Sequence, residues 1–203
     1  MKNLFNVGIL VITFATLSFV SSKKETITIV IDASHGGHDL GSFHNEFFEK
    51  DIANSISKKI NEINDNKNIK ILFTRDDDQF LELSERTKYI NNIKPDLVLS
   101  LHINQNTNVT TNGFEAFVYD KSIAYESSNE LAQKLVLDFE KNIPLKNRGV
   151  KTAPFWILKK SEVPAIIIEM GFLSNENDRK YITSSEGQTQ IAQTILDFVT
   201  NLK

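Results

Sequence analysis

The chain has 203 residues, a formal net charge of −3 at pH 7 and no cysteine. This length is enough to bury the core of one domain, and the acidic balance argues against a nucleic-acid partner or a polybasic membrane-binding patch. Disulfides and thiolate metal sites are excluded, so a metal site would have to use histidine and carboxylate ligands.

The first 22 residues have the layout of a secretory signal peptide. Lys2 supplies a basic start, residues 4–20 are largely apolar, and Ser21 and Ser22 offer small residues for cleavage. The apolar stretch is also about as long as a short membrane span, so an uncleaved anchor is the alternative. In both cases we expect residues 23–203 to form one domain that is exported from the cytoplasm.

After this segment, β-branched runs alternate with stretches of helical periodicity. In chain order, the pattern predicts a strand at 26–31, a helix at 49–63, a strand at 69–74, a helix at 81–93, strands at 96–102 and 113–119, a helix at 127–143, a strand at 164–172 and a helix at 187–202. The strands are apolar throughout, which is typical of a sheet covered on both faces. We therefore predict an α/β fold, with a mixed, mostly parallel, twisted sheet of about six strands and helices on both faces.

Polar residues follow three of these strands. Asp32 and His35 end the first strand, His102 ends the strand at 96–102, and Glu169 lies towards the end of the strand at 164–172. Ligands of open α/β sheets collect beyond the carboxyl ends of the strands. These side chains are therefore the first candidates for a functional site.

Two histidines and a carboxylate at one edge could form a catalytic zinc site, which takes three protein ligands and leaves a position for water. A further glutamate could then accept the proton of that water. Each histidine could instead be a hydrogen-bonded turn residue, and Glu49 suits the first turn of a helix because helix N-termini favour negative charge. The spacing fits no compact zinc motif, so the residues alone leave both interpretations standing.

Several blocks of sequence carry a more specific signal. The blocks are IVIDASHGGHDLGSF, FFEKDIANSISKKI, LFTRDDDQFLELSERTKYIN, DLVLSLHIN, NGFEAFVY, NRGVK and PAIIIEMGFLSNENDRKYI. In this order they resemble the zinc-dependent N-acetylmuramoyl-L-alanine amidases, the amidase-3 type of cell-wall hydrolase, from about Thr26 to Lys203. The resemblance implies one Zn²⁺ per chain, bound by His35, Glu49 and His102.

The resemblance also implies that Glu169 is the catalytic carboxylate. Asp32, Ser100 and Asn104 are expected to support the ligands or to face the substrate, with Asp32 as a candidate acceptor for an imidazole N–H. Arg75 and Arg86 are expected to pair with nearby carboxylates. His38 is not carried over as a ligand.

The first block departs from the family, which usually has Asp-Pro-Gly-His-Gly-Gly. Here Ala33 and Ser34 replace the Pro and the first Gly, so the path of the loop before His35 is less constrained. His35 and the two glycines that follow it are retained. We expect the departure to change the loop and to leave the ligand in place.

The implied reaction is hydrolysis of the amide between the lactyl group of N-acetylmuramic acid and L-alanine of the peptidoglycan stem peptide. Residues 23–203 would be the catalytic domain, acting in the periplasm or cell wall of a bacterium, free of the membrane after signal cleavage. The sequence does not identify an activator or targeting protein that could act with it. The alternatives are another zinc-dependent wall hydrolase, such as a peptidase or N-deacetylase, or a non-catalytic peptidoglycan-binding homologue.

Residues 153–158 (APFWIL) are predicted to be a strand beside the cleft. Within it, Phe155 and Trp156 could contact substrate, but we expect them to pack in the core. One helix and one short strand are expected to account for most of the residues between Asn104 and Glu169, so we expect no helix that covers the metal and an accessible cleft.

Overall fold

The computed structural model describes residues 26–202, so the predicted signal peptide lies outside the described residues. The elements are β1 (Ile27–Ala33), β2 (Phe43–His44), β3 (Phe47–Phe48), α1 (Glu49–Ile63), β4 (Ile69–Phe73), α2 (Leu83–Ile93), β5 (Leu97–Asn104), β6 (Phe114–Val118), α3 (Tyr125–Asn142), β7 (Asn147–Thr152), α4 (Trp156–Lys160), β8 (Ala165–Phe172), α5 (Glu176–Thr183) and α6 (Ser185–Thr200). Within residues 26–202, none of the helices combines the length and apolar character that a membrane span requires.

One sheet of six strands organises the chain, in the order β4-β1-β5-β8-β6-β7. The strands from β4 to β8 in this order are parallel, β6 is antiparallel to β8, and β7 is parallel to β6. A separate two-stranded hairpin, β2-β3, leads into α1. The predicted single domain with a mixed, mostly parallel sheet is confirmed.

Different helices cover the two faces of the sheet. α1, α3 and α6 pack on one face, where Ile29 and Ile31 contribute to the larger apolar core. α2 and α4 pack on the other face, over Val30, Val98 and Ile167. Side chains alternate between the faces along a strand. The residues two positions further along these strands therefore also lie on the α2–α4 face; they are Asp32, Ser100 and Glu169.

The structure corrects the prediction for residues 153–158. The strand is β7, which ends at Thr152, and the apolar segment that follows forms the short helix α4. Pro154 cannot donate a ladder hydrogen bond, and a short apolar run does not by itself distinguish a strand from a buried helix. Phe155 and Trp156 are 42% and 43% exposed, so the expectation that they pack in the core is wrong.

α5 is absent from the prediction because it is short and mostly polar. Its start is set by Asn175, whose side chain accepts hydrogen bonds from the backbone N–H groups of Asn177 and Asp178. The buried Asp178 carboxylate accepts bonds from the backbone N–H groups of Gly113 and Phe172. These contacts join the ends of β6 and β8 to the helix.

Candidate active site

The register of three neighbouring strands places acidic and imidazole side chains in one row. His102 of β5 lies opposite Glu169 of β8, and Glu169 lies opposite Glu115 of β6. The row is on the α2–α4 face, two residues beyond the paired Ser100 and Ile167 along their strands. The predicted convergence of His102 and Glu169 therefore follows directly from strand pairing.

The loop after β1 brings His35 to the same place. His35 has φ 58°, an unusual left-handed conformation for a residue other than glycine. Arg86 of α2 donates to the carbonyl oxygens of Ala33 and His35, and Arg75 donates to those of Ala33 and Ser34. Two buried guanidinium groups thus fix the conformation of the loop at residues 33–35, where the sequence departs from the family motif.

Arg86 also forms a buried ion pair with Asp32, at 2.8 Å between Nη1 and Oδ1. Burial raises the pKa of Asp32, but the charge of Arg86 and the hydroxyls of Thr74 and Ser100 outweigh it, so the pKa is lowered. The pairing expected for Arg86 is present. Arg75 instead donates mainly to backbone carbonyl oxygens.

Glu49 is the first residue of α1 and lies between the two histidines. Its Oε1 is 3.2 Å from Nε2 of His35 and 2.9 Å from Nδ1 of His102. Backbone N–H groups of Ile103 and Ser42 donate to its two oxygens. One ligand atom from each of His35, Glu49 and His102 lies within 4.8 Å of the others, so this group could hold a metal ion.

The surroundings of the two imidazoles fit metal binding. Nδ1 of His35 lies 2.8 Å from Oδ2 of Asp39, and Nε2 of His102 lies 3.2 Å from Oγ of Ser100. Such partners fix the ring orientation of a metal-binding histidine. Ser100 in turn donates to Asp32, so Asp32 supports His102 through a hydroxyl rather than accepting from a ring directly.

Asp39 is a site residue that our sequence reasoning missed. It comes four residues after His35, in a loop where the isolated backbone bridge between Gly36 and Asp39 turns the chain back. Acidic residues are common in such loops, so the sequence offers no signal beyond proximity. His38 lies outside the group, with its ring 4.2 Å from that of Phe80.

Glu169 is the carboxylate beside this group. Its Oε2 is buried and has no hydrogen-bond partner. Burial raises the pKa of Glu169 to about 7, with His102 opposing the shift and the carboxylates of Glu49 and Glu115 adding to it. A carboxyl with such a pKa can both accept and release a proton near neutral pH.

Asn104 lines the cleft and is held by a charged cluster on β6 and β7. Its amide Nδ2 donates to Oε1 of Glu115 at 3.1 Å. Oε2 of Glu115 is bound by Arg148 and Lys151. Our sequence reasoning did not identify these three charged residues, because only the pairing of β6 with both β7 and β8 brings them next to the site.

An open cleft of about 630 Å³ contains the candidate metal ligands and Glu169, within the range of small-molecule sites. One wall is formed by the starts of α2 and α4, and another by Asn104 and Gln105. The side chains of His35 and His102 are 23% and 22% exposed. Both imidazoles are therefore reachable from solvent.

The family model for N-acetylmuramoyl-L-alanine amidases matches residues 29–201. The chain belongs to this family. The resemblance seen in the sequence blocks is thereby confirmed over nearly the whole described region.

Two relatives in Bacillus subtilis illustrate the relationship within the family. The amidase LytC is 33% identical over 171 residues, which cover 84% of this chain but only 34% of LytC. The uncharacterized protein YqiI is 30% identical over 188 residues, covering 93% of this chain and 90% of YqiI. This chain thus spans about a third of LytC and most of YqiI.

Solved amidase structures share the fold. An N-acetylmuramoyl-L-alanine amidase from Clostridium difficile 630 superposes with a TM-score of 0.81 at 32% identity, covering 87% of this chain and 96% of that one. The CwlD amidase from Clostridioides difficile, solved in complex with the GerS lipoprotein, has a TM-score of 0.80 at 28% identity, covering 86% and 97%. The family fold is therefore present here at almost full length.

Proposed function

We propose that the protein hydrolyses the amide between the lactyl group of N-acetylmuramic acid and L-alanine in peptidoglycan. The observation that carries this proposal is the cluster of His35, Glu49 and His102 beside Glu169 in one open cleft, in a chain of the amidase family. Neither a ligand nor the glutamate is lost, as a non-catalytic binding homologue would require.

The metal that suits these donors is zinc. Two imidazoles and a carboxylate are a donor set typical of catalytic zinc sites, and each imidazole is oriented by a second group, Asp39 or Ser100. When bound, Zn²⁺ supplies a Lewis acid that polarises the scissile carbonyl and lowers the pKa of water towards ~7.

Glu169 performs the proton transfers in this proposal. Its unpartnered Oε2 accepts a proton from the attacking water and then delivers it to the leaving amine of alanine. Its pKa of about 7 suits both steps at neutral pH. Ser100, which donates to Asp32, holds the His102 ring, and Asn104 lines the same cleft.

Fragment analysis of digested peptidoglycan tests the proposal. We expect the purified protein to release free alanine amino termini, to lose this activity with a chelator and to regain it with zinc. Release of acetate would indicate an N-deacetylase, cleavage within the peptide would indicate a peptidase, and binding without any product would indicate a non-catalytic homologue. Each of these three results contradicts the proposal.

The place of action follows from the proposed substrate, which lies outside the cytoplasmic membrane. Relatives in Staphylococcus epidermidis carry the name probable cell wall amidase LytH and are 27% identical over 186 residues. We propose that the protein is exported through its N-terminal segment and acts in the periplasm or cell wall. A lipoprotein partner, as in the CwlD–GerS structure, is a candidate regulator.

Zinc affinity should increase with pH between 7 and 9. In the metal-free site, burial lowers the pKa of His35, but Glu49 and Asp39 outweigh it and raise the pKa to about 9. Burial likewise lowers the pKa of His102, but Glu49 and Glu169 outweigh it, so this pKa is also raised. The His35 ring is thus protonated at pH 7 and must lose its proton to bind metal, so we expect release of at least about one proton per zinc.

Titration calorimetry in buffers of different ionisation enthalpy measures this proton release directly. The apparent affinity should rise from pH 7 and level off above the pKa of His35, because protons then no longer compete with the metal. An affinity that is the same at pH 7 and pH 9 contradicts the prediction.

A further inference from the structure

Three large apolar side chains lie at the rim of the cleft, on the two helices of the α2–α4 face. Leu83 of α2 is 50% exposed, and Phe155 and Trp156 at the start of α4 are 42% and 43% exposed. All three line the cleft that also contains His102 and Glu169. We call these three residues the apolar wall; adjacent exposed apolar side chains at a cleft are typical of a binding surface.

The aromatic members of the apolar wall are held in place by their neighbours. The ring of Phe155 packs edge-on against Phe117, with centroids 5.2 Å apart and an interplanar angle of 83°. The Lys160 ammonium lies 5.4 Å from the centroid of the Trp156 ring. These contacts orient both rings before a ligand arrives, which lowers the entropic cost of binding.

Charge separates this wall from the opposite side of the site. Next to the apolar wall, the carboxylate of Glu82 at the start of α2 is balanced by the Lys160 ammonium beside the Trp156 ring, and the charge of Arg86 is neutralised by Asp32. Arg148 and Lys151 lie instead around Glu115 on the β6–β7 side. A stem peptide carries free carboxylates, whereas the glycan is uncharged because its lactyl carboxyl group is used in the amide. The apolar wall is therefore complementary to the sugar and not to the peptide.

The chemistry of the substrate also requires the sugar to lie close to Glu169. Only the lactyl group separates the ring of N-acetylmuramic acid from the scissile carbonyl. We propose that Leu83, Phe155 and Trp156 form the binding site for the N-acetylmuramic acid ring, which packs its C–H face on the aromatic side chains. This inference rests on the proposed function and deepens it by naming the part of the substrate that this wall selects.

Two substrates that differ only in the sugar test the inference. One is a disaccharide–tetrapeptide, and the other is the lactoyl-tetrapeptide made from it by β-elimination of the sugar in base. Trp156→Ala should lower kcat/KM for the sugar-bearing substrate about tenfold, mainly through KM, and change that for the lactoyl-peptide less than about twofold. Trp156→Tyr, which keeps an aromatic face, should restore most of the loss.

Controls separate binding from folding. Zinc content and circular dichroism of Trp156→Ala should match the wild type, and Leu83→Ala should show the same selective loss in a smaller degree. Leu137→Ala removes a 61% exposed apolar side chain from α3, on the other side of the sheet, and should leave both substrates unaffected.

Equal losses on the two substrates, or no loss on either, would overturn the sugar site. Equal kcat/KM of the wild type for the two substrates would also overturn it. These results differ from failure of the proposed function, in which the wild type releases no alanine termini from either substrate or from whole peptidoglycan.

Discussion

We expect Glu169→Gln to bind zinc like the wild type and to hydrolyse peptidoglycan about a thousandfold more slowly, because general acid–base catalysis typically contributes a factor of this order. Glutamine keeps the size of the side chain but cannot accept the proton of the attacking water. Glu169 is not among the three residues whose ligand atoms converge, so the metal should stay. Zinc per chain and kcat on soluble muropeptides are the measurements.

The same substitution should stabilise the metal-free protein at pH 8. The pKa of Glu169 rises from 4.5 to about 7 on folding. Above pH 7 the buried carboxylate of the wild type is charged, and this lowers the free energy of unfolding. This destabilisation disappears as the pH falls below 4.5, the pKa of Glu169 in the unfolded chain, because the carboxyl group is then protonated in both states. Thermal unfolding of the metal-free proteins should therefore show a higher Tm for Glu169→Gln at pH 8 and no difference near pH 4.

Glu82→Gln is the matched control, because Glu82 lines the same cleft without belonging to the row of His102 and Glu169. It should remain active. Full activity of Glu169→Gln, or loss of its zinc, would falsify the assigned role.

Gly41→Ala should abolish zinc binding and, with it, activity. A methyl group at this position would lie 2.5 Å from Oε2 of Glu49, and 2.6 and 2.8 Å from Cδ2 and Nε2 of His35. These atoms belong to the candidate ligand group, so any movement that accommodates the methyl separates Glu49 from His35. Disturbing even the partners of metal ligands costs 10- to 100-fold in affinity, and we expect a loss of at least ~100-fold.

Gly149→Ala controls for backbone strain. Gly41 and Gly149 have similar positive φ values, 65° and 78°, but a methyl group on Gly149 meets no atom within 4 Å. Both variants therefore bear the cost of a left-handed alanine, and only one intrudes on the site. Zinc per chain by mass spectrometry should be normal for Gly149→Ala; equal zinc content in the two variants contradicts our account of Gly41.

The amino-acid sequence was sufficient to predict the class of fold and the edge of the sheet at which the site lies. Apolar strands can only be buried in a sheet covered on both faces, and the carboxyl ends of parallel strands meet at one edge. Asp32, His102 and Glu169 therefore had to come together once the strands were recognised. The family blocks added Glu49, which on its own resembles an ordinary residue at the start of a helix.

The partners of these groups could not be predicted, because they depend on contacts between residues far apart in the chain. Asp39 reaches His35 because a loop turns back on itself, and Ser100 stands between Asp32 and His102 because β1 and β5 pair in that register. The helix at 156–160 replaced a predicted strand, since an apolar run of that length fits either structure. Its exposed Phe155 and Trp156 became a wall of the cleft only through the packing of α4 beside α2. Local periodicity reports which side of an element is buried; which other element lies across the cleft depends on contacts far apart in the chain.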